Sequence, residues 1–265
     1  MADMNNTRYD ARLSTAELSV LLSMLEADSL AGQGEELLPG LSARERTLVL
    51  ATATGSLRAR RLIANINGGA PVLYRELLDT LGICVYPTHA TAIYHWDAGA
   101  ELPTQIFAFR RQDQIVLQTR PEAQVYEFLR LSHMDAAVEQ ILRFCGLAQE
   151  ESMSGLEMVM PGAEFQQLRT HVDSQDEAAI VAWQARYAGD EAAAALLETL
   201  QSPYRATLLH ALHTPEEDQG AVREMTILNG PKATWLIQAT APAAETIRVQ
   251  TMTLPHRRAV FASEL

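Results

Sequence analysis

Residues 115–129 read Ile-Val-Leu-Gln-Thr-Arg-Pro-Glu-Ala-Gln-Val-Tyr-Glu-Phe-Leu, and residues 247–261 read Ile-Arg-Val-Gln-Thr-Met-Thr-Leu-Pro-His-Arg-Arg-Ala-Val-Phe. Each stretch sets an apolar-x-apolar-Gln-Thr strand before a proline and a short helical run. A second echo lies upstream: Ala16-Glu17-Leu18-x-x-Leu21 answers Ala163-Glu164-Phe165-x-x-Leu168, each opening an amphipathic helix. The spacing is far longer than the roughly 20–50-residue period of a solenoid. It predicts two similar halves packed about a pseudo-two-fold axis, with function in a shared surface and not in a catalytic cluster.

Working outward from the echo, residues 1–12 read as a flexible N-terminus, 13–150 as the first half and 151–265 as the second, the two joined in one integrated domain. Ser14 with Glu17, and Ser42 with Glu45, have capping-box spacing. They start one helix carrying the Leu18, Leu21, Leu22 and Leu25 stripe and a second running to about Ile63. Pro71 opens a third helix over Val72 to Leu81. The texture from Gly82 to Ala98 is that of strands. Two further strands, 105–110 and 114–119, flank a Gln112-Asp113 turn and form a hairpin. Pro121 to Leu131 and Asp135 to Phe144 read as helices, the latter stopped at Gly146. Residues 148–162 form the boundary. Three helices (163–172, 175–187, 190–201) then precede strands at 205–213, 222–228, 234–240 and 246–252, with Asn229-Gly230 as a hairpin turn, and a closing helix covers 254–265. Each half runs helices, antiparallel meander, helix. The fold class is α+β, a central antiparallel sheet flanked by helical bundles.

Composition narrows the function. The chain has 265 residues, a formal net charge of −12 and 48% hydrophobic residues. That is enough apolar material for a sizeable core, and the acidic balance disfavours nucleic acid and anionic membranes as partners. The two cysteines, Cys84 and Cys145, lie in apolar runs and read as buried thiols. No apolar segment near the N-terminus suggests a signal, and no window is long enough to span a bilayer, so the expected compartment is the cytoplasm. Lysine occurs once, at Lys232, so 20 of the 21 basic residues are arginine. Arg58, Arg60, Arg61 and Arg75 could form a binding face, but their helical spacing equally suits ion pairs with Glu45, Glu76 and Asp79.

No phosphate loop, dinucleotide fingerprint, His-Glu-x-x-His or Cys-x-x-Cys is present, so no catalytic residue, metal or cofactor is expected. His89 and His95 share a strand face but stand about 20 Å apart if the strand is straight. Together with Asp97 they are the candidates that an enzyme reading would test. The acidic stretch Glu216-Glu217-Asp218-Gln219-Gly220, between two strands of the second meander, reads as a solvated turn or as a loop that meets a partner. It is taken, with Trp235 on the third strand of that meander, as the candidate partner-binding surface.

The order of elements resembles the EspG family, the cytosolic specificity factors of type VII (ESX) secretion. The resemblance rests on Leu13-Ser14-x-x-Glu17-Leu18-x-x-Leu21, on Tyr74-Arg75-Glu76-Leu77-Leu78 and Asp190-Glu191-Ala192 to Leu200, on Thr234-Trp235-Leu236-Ile237, and on Ile247-Arg248-Val249-Gln250 to Pro255. It covers roughly residues 13–262. It implies a non-catalytic cytosolic chaperone that keeps a helical-hairpin client, PE–PPE-like or WXG-type, soluble by covering its apolar tip. A self-associating module that forms a homodimer is the alternative, and an enzyme with an unrecognised pocket is a further one.

Overall fold

The computed structural model describes residues 9–34, 36–65, 71–149, 155–213, 224–240 and 245–265. The first half runs β1 (Tyr9–Ser14), α1 (Thr15–Met24), α2 (Ala43–Ala59), β2 (Ile63–Asn65), β3 (Pro71–Leu73), α3 (Arg75–Val85), β4 (His89–Trp96), β5 (Thr104–Arg111), β6 (Gln114–Glu122), β7 (Val125–Leu131) and α4 (Met134–Phe144). The second runs β8 (Glu157–Pro161), α5 (Gly162–Asp173), α6 (Glu177–Arg186), α7 (Glu191–Gln201), β9 (Arg205–His213), β10 (Glu224–Asn229), β11 (Thr234–Ala239), β12 (Thr246–Thr251) and α8 (Leu254–Glu264).

Both capping boxes form. Ser14 accepts from the Glu17 amide at 3.2 Å while the Glu17 carboxylate takes the Ser14 amide at 2.9 Å, and Ser42 with Glu45 repeats the exchange. Each box satisfies two amides that a helix start otherwise leaves without intrahelical partners.

Ten strands make one antiparallel sheet in the order β1-β7-β6-β5-β4-β9-β10-β11-β12-β8, and β2 pairs with β3 apart from it. The halves meet at β4 and β9, where Ile93 lies opposite Leu209 and His95 opposite Thr207. From this seam each half lays down a four-strand meander and then brings its own first strand to the edge, β1 beside β7 and β8 beside β12. The helices follow the same order in both halves, three after the first strand and one after the meander.

Side-chain alternation across the pleat divides the core into layers. On β4, Ala90 and Ala92 pack with α1, α2 and α3, while Ile93 packs with α4 and α8. On β11, Trp235 and Ile237 pack with α5, α6 and α7, while Leu236 turns to the α4–α8 side. The two three-helix bundles therefore share one face of the sheet and α4 with α8 covers the other. A sheet buried on both faces accounts for the near-continuous apolar runs of β4, β5 and β11.

The upstream echo marks equivalent places. Glu17 and Glu164 occupy the first turn of the helix after each edge strand and are only 5% and 9% exposed. Glu17 meets Arg60, just past the end of α2, at 2.8 Å; Glu164 meets Arg186, at the end of α6, at 2.9 Å. Burial alone would raise the Glu17 carboxyl, but hydrogen bonds from the Ser14 amide, Ser56 and Arg60 outweigh it and hold the group below its ordinary value.

The Gln-Thr echo does not mark equivalent strands. Residues 115–122 form β6, third from the seam, whereas 247–251 belong to β12, fourth from it. The run expected to be helical after Pro121 is β7. There Tyr126 and Phe128 alternate with Glu127 and stack at 6.4 Å, as cross-pleat aromatic residues do. Other boundaries shift as well. Tyr9–Ser14 is a paired strand where the chain was expected to fray up to residue 12, Pro71 opens β3 in place of a helix, and β8 lies inside the expected boundary segment. The residues Gly82–Val85, expected in a strand, finish α3.

Four helix ends share one device. Glu26, Arg61, Gly146 and Gln175 take positive φ (55°, 58°, 64° and 57°), and the next amide reaches five residues back in each case: Ala27 to Leu22, Leu62 to Leu57, Leu147 to Leu142 and Asp176 to His171. This is the Schellman closure. Only at Gly146 does the sequence use the residue that favours it. Gln175→Gly removes side-chain strain at such a position and is expected to stabilise the fold by about 1 kcal/mol in urea unfolding.

Candidate functional site

Along the seam the bundles share out the sheet face unevenly. Ala90, Ala92, Tyr94 and Leu212 pack into the first bundle's core and Ala206 into the second's, but Leu208 and Trp96 join none of the three cores and are half-buried. They line a cavity of about 590 Å³. Its floor continues through Thr226 and Leu228 of β10, one wall is Arg169 of α5 with Leu200 of α7 and Tyr204, and the other is the turn at Asp97, Gly99 and Ala100. The same turn carries Leu102, which is 81% exposed. An open hollow with aromatic, aliphatic and a few polar groups on a rigid sheet suits recognition of an apolar protruding segment.

Arg169 is the exceptional polar group of this cleft. Its Nε is buried without a partner, and among the described residues no hydrogen bond or ion pair engages the side chain. Asp173, one helical turn further on, lines the same cleft but is not paired with it.

The residues singled out from sequence fall elsewhere. Glu216, Glu217, Asp218, Gln219 and Gly220 lie outside the described residues. Trp235 is fully buried in the core under α5 to α7, where its indole N–H donates to Thr199 at 3.0 Å, so in this conformation it touches no partner. It was read as a surface aromatic because β11 is apolar on both faces and the sequence does not say which face is open. His89 and His95 stand near opposite ends of β4, as the strand spacing implied. His89 contacts Arg110 at 2.8 Å, and among the described residues no group of three or more His, Cys, Asp or Glu is placed to hold a metal.

His95 and Asp97 do come together, on the α4 side of the seam. His95 Nε2 is 3.6 Å from Asp97, its Nδ1 is 3.0 Å from the Thr207 hydroxyl, and the Phe144 ring stands edge-on at 6.3 Å. Arg205 pairs with Asp97 at 3.1 Å. The nearby Cys145 hydrogen-bonds Thr207, but burial pushes its thiol up to about 12, so it is no nucleophile near neutral pH. Thr207 and His95 are only 2% and 4% exposed, which leaves no room for a substrate at the hydroxyl. The cluster ties β4 to β9.

This tie responds to pH. Burial pulls His95 below its ordinary 6.5, Asp97 opposes that and Arg205 adds to it. With the folded value below the unfolded one, the unfolded chain takes up the proton first, so stability falls as pH drops from 6.5 toward the lowered folded value. Urea midpoints measured between about pH 8 and pH 5 are expected to decline in the wild type and to decline less in His95→Gln. The Glu17 contribution is present above the ordinary carboxyl value of 4.5 and is lost only at lower pH, which separates the two.

No family model matches the chain, and no curated protein is similar to it in sequence. Among solved structures it is similar to the type VII secretion system chaperone EspG5 of Mycobacterium tuberculosis, in a structure of EspG5 in complex with the PE25–PPE41 dimer. The TM-score is 0.66 at 10% identity, over 97% of this chain and 95% of that one. The likeness is one of fold.

Proposed function

We propose that this chain is a non-catalytic binding protein, a chaperone of EspG type that holds a PE–PPE-like client before type VII export. The client's helical-hairpin tip seats on the sheet at Trp96, Leu208 and Tyr204, with the turn bearing Leu102 closing over it. The single observation that carries the reading is the cleft over the seam, where half-buried apolar side chains belong to no core. The shared fold supports it, since the EspG5 structure holds a PE25–PPE41 dimer. An exposed apolar tip aggregates unless shielded, and an acidic carrier keeps the complex dispersed in the cytoplasm.

Co-expression with a panel of PE–PPE pairs that includes PE25–PPE41 tests the reading. A stoichiometric complex that survives size-exclusion chromatography is expected. If every such pair elutes apart from the chain, the reading is wrong.

A further inference from the structure

Among the described residues, the cationic side chain that lines the cleft, Arg169, makes no ion pair. Arg169 stands on α5, beside Leu200, Tyr204 and Leu208, with Nε buried and no hydrogen bond or ion pair among the described residues. Other arginines of the chain are engaged: Arg186 with Glu164, Arg205 with Asp97, and Arg248 with Glu157. A buried donor left without an acceptor destabilises a fold. A cleft that retains one is built for an acceptor that arrives from outside.

We infer that Arg169 caps a helix C-terminus of the bound protein. This rests on the reading of the cleft as a seat for a helical hairpin. A hairpin tip joins the end of one helix to the start of the next. The ending helix presents up to four carbonyls without intrahelical partners and a partial negative charge. A guanidinium presents five donors in a planar fork and complements that end, while the apolar residues of the tip lie on Leu208 and Trp96. The acidic carrier therefore needs no acidic client: the charge that Arg169 meets belongs to the client's backbone, which every helical hairpin has. Specificity then resides in shape and in the apolar tip residues, so one cleft accepts several clients of the same architecture.

The experiment uses the full chain and a purified PE–PPE heterodimer, PE25–PPE41 first, with affinity measured by titration calorimetry. Arg169→Leu is expected to weaken binding at least tenfold while the unfolding midpoint of the free chain is kept or raised, and Arg169→Lys to fall between the two in affinity. Neutralising the acidic side chains of the client tip is expected to leave wild-type affinity within about threefold. Equal affinity of Arg169→Leu and wild type overturns the inference. So does a client in which removing one tip carboxylate costs as much as losing Arg169, because the acceptor is then a side chain. Should the wild type not bind the dimer at all, the cleft reading itself fails, a different result from either.

Discussion

Leu208→Asp is expected to weaken client binding by at least about a hundredfold while the chain still folds. Leu208 is half-buried on the floor of the cleft and contributes to no core cluster, so the free protein tolerates a polar group there. In the complex the same carboxylate is desolvated against an apolar tip. Removing a charge from water without a fitting partner costs several kcal/mol, and about 2.7 kcal/mol already equals a hundredfold. If the aspartate finds Arg169 instead, it occupies the cation that lines the cleft and the client still loses. Calorimetric titration of wild type and variant reads the difference. Comparable affinities would mean that the client sits elsewhere.

The largest effect on stability is expected from Trp235→Ala, a loss of about 3–5 kcal/mol in urea unfolding. The indole is fully buried, packs beneath α5 to α7, and donates to Thr199, whose hydroxyl in turn donates to the Ala195 carbonyl. Truncation opens a cavity between the sheet and α7 and removes a buried hydrogen bond. Trp235→Phe keeps most of the volume and loses the donor, and about 1–2 kcal/mol is expected. The contrast decides what Trp235 does. As a core residue it changes stability and leaves client affinity intact in any variant that folds; as a contact residue it would do the reverse.

The second half is the more legible in sequence, for identifiable reasons. Asn229-Gly230 pins a hairpin, the apolar runs at β9 to β12 are separated by turn residues, and Asp176 and Asp190 cap their helices through the amides of Ala179 and Ala193. The first half hides its punctuation. Arg61, at positive φ, closes α2 four residues before the expected end, and no residue preference announces it. Pro71 is read as a helix start because proline favours both a first helical turn and a strand edge. The β7 segment has helix-like apolar spacing over one turn, and its partner strands β1 and β6 lie far from it in sequence, so tertiary pairing decides its state.

Of the two sequence echoes, one falls at matching places in the topology and the other does not. Glu17 and Glu164 both stand in the first turn of the helix after an edge strand with an arginine from the end of the next helix beside them, but only Glu17 also takes its N-cap amide, since α5 starts at Pro161 without a side-chain cap. The Gln-Thr pair matches strands at different places in the sheet. The cleft was not legible at all. Trp96, Arg169, Tyr204 and Leu208 come from three separate stretches of chain, and each alone is an ordinary helix, loop or strand residue. Only the assembled sheet shows that the bundles leave them uncovered.

The account's central claim is that the client seats on the seam between the halves. Hydrogen–deuterium exchange of the chain alone and in complex with a PE–PPE dimer tests it most directly. Slower exchange is expected along the 97–103 turn, at the start of β9 around Ala206 and Leu208, and at the C-terminal end of α5 near Arg169, with α2 and the β2–β3 pair unchanged. Protection on α2 and the β2–β3 pair, with the seam unaltered, would contradict it.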